Sequence, residues 1–236
     1  MMSQLKQTLT SIKWGKVLFF LLIVKPVVLI ALGLNLVNRK GLPKDGPAIL
    51  AANHTSHLDT LVLMSLYPLS QLHRVRPVAA ADYFLKNKWV AWFSINCLDI
   101  IPIERDGKVA REELFKGCFD ALENQQIIVF FPEGTRSLTE EREFKLKRGI
   151  HCLIQHYPDT KVIPIILHGL GKALPKGEAL LVPFNCDVIV GDEMTHGDDV
   201  NEYLANLTAQ YESLLTQCIT NGKMVKSEEG QQTPDH

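Results

Sequence analysis

The chain lacks any pairing of cysteines. Cys97, Cys118, Cys152, Cys186 and Cys218 are odd in number and scattered, with no Cys-x-x-Cys and no Cys/His grouping. That argues against a disulfide framework or a zinc site and fits a reduced, cytoplasmic setting; the five read as small core hydrophobes. No glycine-rich nucleotide loop and no cluster of metal ligands is present, so neither a metal nor a redox or nucleotide cofactor is implied. An excess of one charge is also missing: 25 basic residues face 26 acidic ones in 236, which gives no bias toward nucleic acid. Nor is there an uninterrupted apolar run of membrane-spanning character. Residues 17–37 reach the about 20 residues a bilayer requires, but Lys25-Pro26 breaks them near the middle, where a charge is costly.

What surrounds that segment is basic at both ends: Lys6, Lys13 and Lys16 before it, Arg39 and Lys40 after it. The positive-inside rule then gives no orientation and favours both ends on the cytoplasmic face. Two short apolar helices bent at Lys25-Pro26 and dipping into one leaflet fit this pattern. A buried helix hairpin is one alternative. A signal peptide with residues 17–24 as its apolar core is another, although no small-residue cleavage site follows. Residues 1–42 are therefore expected to form an apolar helical membrane-associating segment. Residues 43–220 are expected to be one domain, and the polar stretch 221–236 a disordered tail.

From residue 47 onward short apolar runs alternate with amphipathic stretches. Strands are predicted at 47–52, 76–80, 98–103, 126–131, 161–167, 179–182 and 186–191. Helices are predicted at 57–66, ended by Pro68, at 110–124 and at 200–220, where apolar residues recur at three- and four-residue spacing. The alternation implies an α/β fold, a single mixed and largely parallel sheet flanked by helices, with the apolar N-terminal helices as its membrane anchor.

Two polar clusters each follow a predicted strand. The first is Asn53-His54-Thr55-Ser56-His57-Leu58-Asp59. Inside one helix His54 and Asp59 would lie roughly 140° apart. On a strand-to-helix turn, with Ser56 as N-cap, His54 can fold back onto the Asp59 carboxylate. A carboxylate that fixes the imidazole tautomer prepares it to take a proton from a hydroxyl near neutral pH. Asp59 read alone is a first-turn helix charge, and His57 a solvated first-turn residue. The second cluster is Phe131-Pro132-Glu133-Gly134-Thr135-Arg136-Ser137, which read alone is a strand end and a glycine turn.

Taken together, with Ile101-Pro102-Ile103-Glu104-Arg105 and Val162-Ile163-Pro164-Ile165-Ile166-Leu167 in the same order, these blocks resemble the glycerolipid acyltransferases typified by 1-acylglycerol-3-phosphate O-acyltransferase. The resemblance covers 47–192. It implies acyl transfer from an acyl-CoA or acyl-carrier-protein thioester to a glycerol hydroxyl of a lysophospholipid acceptor, at the cytoplasmic face of a membrane (the inner membrane in a bacterium). It implies His54 as general base, oriented by Asp59. It implies acceptor-phosphate binding by Arg105 and by Glu133, Gly134, Thr135 and Arg136, and a cavity shaped by 162–167. Guanidinium forks suit a phosphate dianion, whereas Glu133 reads more naturally as a partner that orients an arginine. Backbone N–H groups of the His54 turn and of the adjacent helix N-terminus are candidates to hold the oxyanion.

Two features depart from the family pattern. A Phe-Lys-x-Gly element should follow the second cluster, and Phe144-Lys145-Leu146-Lys147-Arg148-Gly149 offers two registers. Between 81 and 98 the chain carries Phe84, Leu85, Trp89, Trp92 and Phe93 near Lys86 and Lys88, either an interfacial patch or a core helix. The acceptor is expected to be 1-acylglycerol 3-phosphate acylated at its 2-hydroxyl, giving phosphatidic acid. Glycerol 3-phosphate, another lysophospholipid or a lyso-aminolipid are alternatives, and a thioesterase or a non-catalytic lipid-binding protein are the rivals outside that class.

Overall fold

The computed structural model describes residues 13–84, 87–104, 110–137, 143–173 and 184–219. The chain opens as one helical stretch. Helix α1 (Trp14–Phe19) runs through a wide π turn (Phe20–Val24) into α2 (Lys25–Ala31). Proline has no N–H and its ring collides with the carbonyl four residues back; a widened turn directly before Pro26 is where a helix absorbs that. Phe20, Val24 and Val28, four residues apart, are buried in the core, while Leu18, Leu22, Leu29 and Ile30 stay exposed. Among the described residues no helix is long and apolar enough to cross a membrane.

Helix was expected throughout 17–37. That is corrected: Leu32–Val37 is strand β1, paired in parallel with β7 (Phe184–Val190). The remaining strands are β2 (Ala48–Ala52), β3 (Val75–Ala80), β4 (Ile101–Ile103), β5 (Ile127–Phe130) and β6 (Lys161–His168). They form one sheet in the order β1-β7-β6-β2-β5-β3-β4. Every neighbouring pair is parallel except β6 with β7. This is the mixed, largely parallel α/β sheet read from the sequence. The predicted strand at 179–182 lies outside the described residues, as does the tail at 221–236.

β2 sits between β6 and β5 and is buried along its whole length, which is why it reads as an unbroken apolar run. On one face of the sheet lie the inner side of α1 and α2 and helix α3 (Leu58–Ser65). On the other, Tyr203, Leu207, Tyr211 and Leu214 of the C-terminal helix (Val200–Leu215) supply the apolar stripe. The helix expected over 110–124 is two, Arg111–Leu114 and Lys116–Glu123, broken at Phe115. Four of the cysteines are buried and Cys152 is half-buried. Burial pushes the Cys118 and Cys218 thiols up to about 12, far from the range in which a thiol is a nucleophile.

Lys13, Lys16 and Lys25 have partners within the protein. Lys25 donates to the carbonyls of Ser65 and Tyr67 at 3.0 and 3.2 Å, so it caps the C-terminus of α3, where a cation meets the negative end of the helix dipole. Lys13 is paired with Asp99 at 2.6 Å. Lys16, buried, donates to the Val75 carbonyl at 2.6 Å and stands 3.8 Å from Asp99. Burial lowers the Lys16 ammonium to about 7, against the pull of Asp99.

Candidate active site

β2 and β5 are parallel neighbours, so the loops leaving their C-terminal ends share one edge of the sheet, where open α/β sheets place ligands. Asn53 sets the exit from β2. Its side-chain amide donates to the Leu167 carbonyl at 2.9 Å and its oxygen accepts the Leu167 N–H at 2.7 Å, extending the β2–β6 ladder by one side chain. The chain then turns, and Leu58 opens α3 with the Ser56 hydroxyl accepting its N–H at 3.3 Å.

Asp59, fully buried, is the hub of that turn. Its Oδ2 accepts the N–H groups of Thr55 (2.6 Å) and Ser56 (2.9 Å) and lies 2.9 Å from His54 Nδ1; its Oδ1 accepts the Thr55 hydroxyl at 3.3 Å. A carboxylate already surrounded by donors acts as an acceptor, so Nδ1 is the donor of this pair, and in the neutral imidazole the lone pair then lies on Nε2. The imidazole ring is also stacked on Phe131, centroids 4.1 Å apart and planes 19° from parallel. The expected His54–Asp59 pair is thus formed.

The second cluster braces the first. Glu133, only 8% exposed, accepts the His54 main-chain N–H at 3.1 Å, and the Ser137 N–H donates to the His54 carbonyl at 3.0 Å. Both polar atoms of that residue's main chain are therefore held by the FPEGTRS segment. This gives Glu133 a partner that neither the phosphate role nor the arginine-orienting role contained. It also corrects one expectation. The N–H groups of His54, Thr55 and Ser56 are all engaged by carboxylates, so the turn has none of these three to offer an oxyanion.

His54 lines a cavity of about 790 Å³. Its wall includes apolar side chains, among them Leu61, Pro77, Phe93, Leu98, Ile103 and Phe115, cationic ones, Arg111, Arg136, Lys147 and Arg148, and the acids Asp82 and Glu104. Gly134, Thr135 and Arg136 belong to the wall while Glu133 lies behind it. Gly134 adopts φ +70°, and a Cβ there would sit 2.9 Å from Lys147 Nζ. Only glycine enters that backbone region without strain, and its bare face lets the lysine lie against the turn. Lys147 also ties its N–H to the Pro132 carbonyl at 2.9 Å. Arg105 lies outside the described residues; Glu104, just before it, lines the cavity.

Of the two lysines that the Phe-Lys-x-Gly element could use, Lys147 lines the cavity and Lys145 is not among its lining residues. A Cβ at Gly149 would come 2.9 Å from Phe115 Cζ, so the chain is closely packed where the helix Gly149–His156 begins. Arg111 and Arg148 carried no sequence signal beyond their charge. His57 stands at the cavity mouth, where desolvation first and the Arg136 charge second lower its pKa. The segment Val162–Leu167 does not line the cavity. It lies within β6, pairs with β2 and supplies Leu167 to Asn53. The helix Lys88–Phe93 presents Trp89 and Trp92 to solvent rather than to the core.

Comparison with known proteins agrees with this picture. A family model described as Acyltransferase matches residues 33–168. The 1-acyl-sn-glycerol-3-phosphate acyltransferase LPAT1, chloroplastic, of Arabidopsis thaliana is 29% identical over 159 residues, covering 66% of this chain and 42% of that protein. A 1-acyl-sn-glycerol-3-phosphate acyltransferase of Bacillus subtilis is 23% identical over 167 residues, covering 70% of this chain and 76% of that protein. The chain thus spans less than half the length of its chloroplast relative. Among solved structures, the 1-acyl-sn-glycerophosphate acyltransferase PlsC from Thermotoga maritima shares the fold, with a TM-score of 0.66, 18% identity and coverage of 85% of this chain and 79% of that one.

Proposed function

The chain belongs to the acyltransferase family, whose model spans more than half of it, and we propose that it moves a fatty acyl group from an acyl-CoA or acyl-carrier-protein thioester to the 2-hydroxyl of 1-acylglycerol 3-phosphate, giving phosphatidic acid. One observation carries the reading: a histidine whose Nδ1 is held at 2.9 Å by a buried aspartate lines a cavity whose wall carries both large apolar and cationic side chains. Such a wall suits a molecule that has both an acyl chain and a phosphate.

In this mechanism Nε2 of His54 takes the proton from the acceptor hydroxyl as its oxygen attacks the thioester carbonyl carbon. The carbonyl becomes an oxyanion. Its collapse breaks the carbon–sulfur bond, and the departing thiolate receives the proton from the imidazolium. Asp59 keeps the tautomer and stabilises the transient imidazolium charge. Arg136 and Lys147 supply the cationic end for the phosphate, with Arg105 as a further guanidinium. Glu133, Gly134 and Thr135 keep that end in place.

The apolar helical segment is proposed to associate with the membrane from its cytoplasmic face. It is supported by the exposure, among the described residues, of the large apolar side chains Trp14, Leu18, Leu22, Leu29 and Ile30 along α1 and α2.

Product analysis by mass spectrometry across a panel of acceptors (1-acylglycerol 3-phosphate, glycerol 3-phosphate, other lysophospholipids and a phosphate-free lyso-lipid) tests the acceptor. Transfer confined to the phosphate-free acceptor would remove the phosphate role of the cationic wall. Full-rate release of free fatty acid without any acceptor would make the protein a thioesterase.

A further inference from the structure

The chain has three tryptophans. Tryptophan is usually a highly buried residue, yet here Trp14 is 62%, Trp89 83% and Trp92 60% exposed. The last two belong to the helix Lys88–Phe93 and its π-turn extension Ser94–Leu98. Along that segment Trp89, Trp92 and Ile95 follow one another at three-residue spacing and are all exposed. Phe93 and Leu98 instead line the cavity that holds His54. The segment is therefore a wall with two apolar surfaces, one toward the site and one toward the outside.

The outer surface is continuous with that of α1. Lys13 donates to the Ile95 carbonyl at 3.0 Å, and a Cβ at Gly15 would stand 3.5 Å from the Asn96 carbonyl oxygen, so both neighbours of Trp14 meet this segment. Phe19 of α1 meets Phe93 edge to face at 4.9 Å. The outer surface also carries a cation: Lys88 stands exposed beside Trp89, and the sequence holds no acidic residue from 83 to 98. Exposed tryptophan rings with a lysine beside them suit the headgroup level of an anionic bilayer.

We propose that the segment Lys88–Leu98 is a second membrane-docking element, seating Trp89 and Trp92 among the headgroups of an anionic leaflet beside the N-terminal helices, so that the cavity wall formed by Phe93 and Leu98 borders the lipid from which a long-chain acceptor comes. This rests on the membrane reading of the N-terminal segment and extends it to a separate part of the chain.

The tryptophans report on it directly. In W14F the fluorescence comes from Trp89 and Trp92, and in W89F/W92F from Trp14. Each full-length variant is titrated with vesicles of phosphatidylcholine and phosphatidylglycerol, with and without lipids brominated near the headgroup. A blue shift and quenching in W14F is the expected result, together with a vesicle partition coefficient lowered roughly tenfold or more in W89S/W92S. A shift in W89F/W92F with none in W14F overturns the proposal and leaves the N-terminal reading standing. No shift in either overturns both. A shift in W14F that grows with protein concentration in the absence of vesicles means that a second copy covers the patch, which also overturns it.

Discussion

Glu133 accepts the main-chain N–H of His54 at 3.1 Å across 79 residues of sequence. Because the hydrogen bond goes to the backbone rather than to the ring, it acts on where the imidazole stands. The Phe131 ring beneath the imidazole and the Ser137 N–H on its carbonyl belong to the same short segment. A motif read from sequence as a phosphate cradle is also the bracket for the proposed general base.

Replacing Glu133 separates these roles. E133Q keeps an oxygen that accepts the His54 N–H and retains most of the activity. E133A leaves that buried donor without its partner, and loss of a charge-assisted hydrogen bond of about 1.5–3 kcal/mol corresponds to a fall of roughly ten- to a hundredfold. Steady-state kinetics with varied acceptor show the fall in kcat. A change confined to acceptor KM would assign Glu133 to the phosphate instead.

Asp59 fixes the tautomer, so D59N preserves volume but places an amide where the ring and two backbone N–H groups all need an acceptor. The expected loss in kcat is roughly a thousandfold or more, the scale seen when a histidine base loses its orienting carboxylate. Comparing kcat with thermal stability of the same variant checks this; unfolding at assay temperature would be a different failure from inactivity in a folded protein.

Arg136 is expected to act on the acceptor. R136A should raise the KM for 1-acylglycerol 3-phosphate about tenfold or more, and R136K should restore it only in part, since an ammonium cannot reproduce a bidentate fork. The KM for the thioester should change little. Equal effects on both substrates would place Arg136 elsewhere in the reaction.

Lys16 gives a pH dependence with a definite sign. Its folded-state pKa is about 7, below the ordinary 10.5, so between these values the unfolded chain binds the extra proton and stability rises with pH. Below about 7 both states are protonated and the cost is constant. In urea unfolding, wild type should therefore gain stability relative to K16M as pH is raised from about 7 toward 10, with little change in the difference well below 7. Parallel curves over the whole range would contradict the buried, desolvated lysine.

Where sequence and structure agree, local signals were sufficient. β2 and β5 are short apolar runs that end in polar clusters, and the stripe over Tyr203, Leu207, Tyr211 and Leu214 has helical spacing. The strand-to-helix turn placed His54 against Asp59 because only that geometry lets residues five apart meet. Where they part, the deciding partner is remote. Leu32–Val37 follows an apolar helix directly, and its own signals, Gly33 and the alternation of Leu32, Leu34 and Leu36 with Gly33 and Asn35, are short beside that apolar run. Its strand identity comes from β7, with Asn35 bonded to Asp187 at 2.7 Å over 152 residues. Lys13, Lys16 and Lys25 resemble the flanks and fault of a membrane segment until Asp99, Val75 and Ser65 are brought beside them. The Glu133–His54 bond has the same character: each residue is prominent in its own motif, and nothing local says that one holds the other.

Whether His54 removes the proton from a lipid hydroxyl during acyl transfer is decided by following labelled acyl groups from thioester into phosphatidic acid with wild type and H54A. Wild type should place label at the 2-position of the product. An H54A protein that unfolds at the same temperature should give no transfer above background. Transfer by H54A at a rate comparable to wild type would rule out His54 as the base.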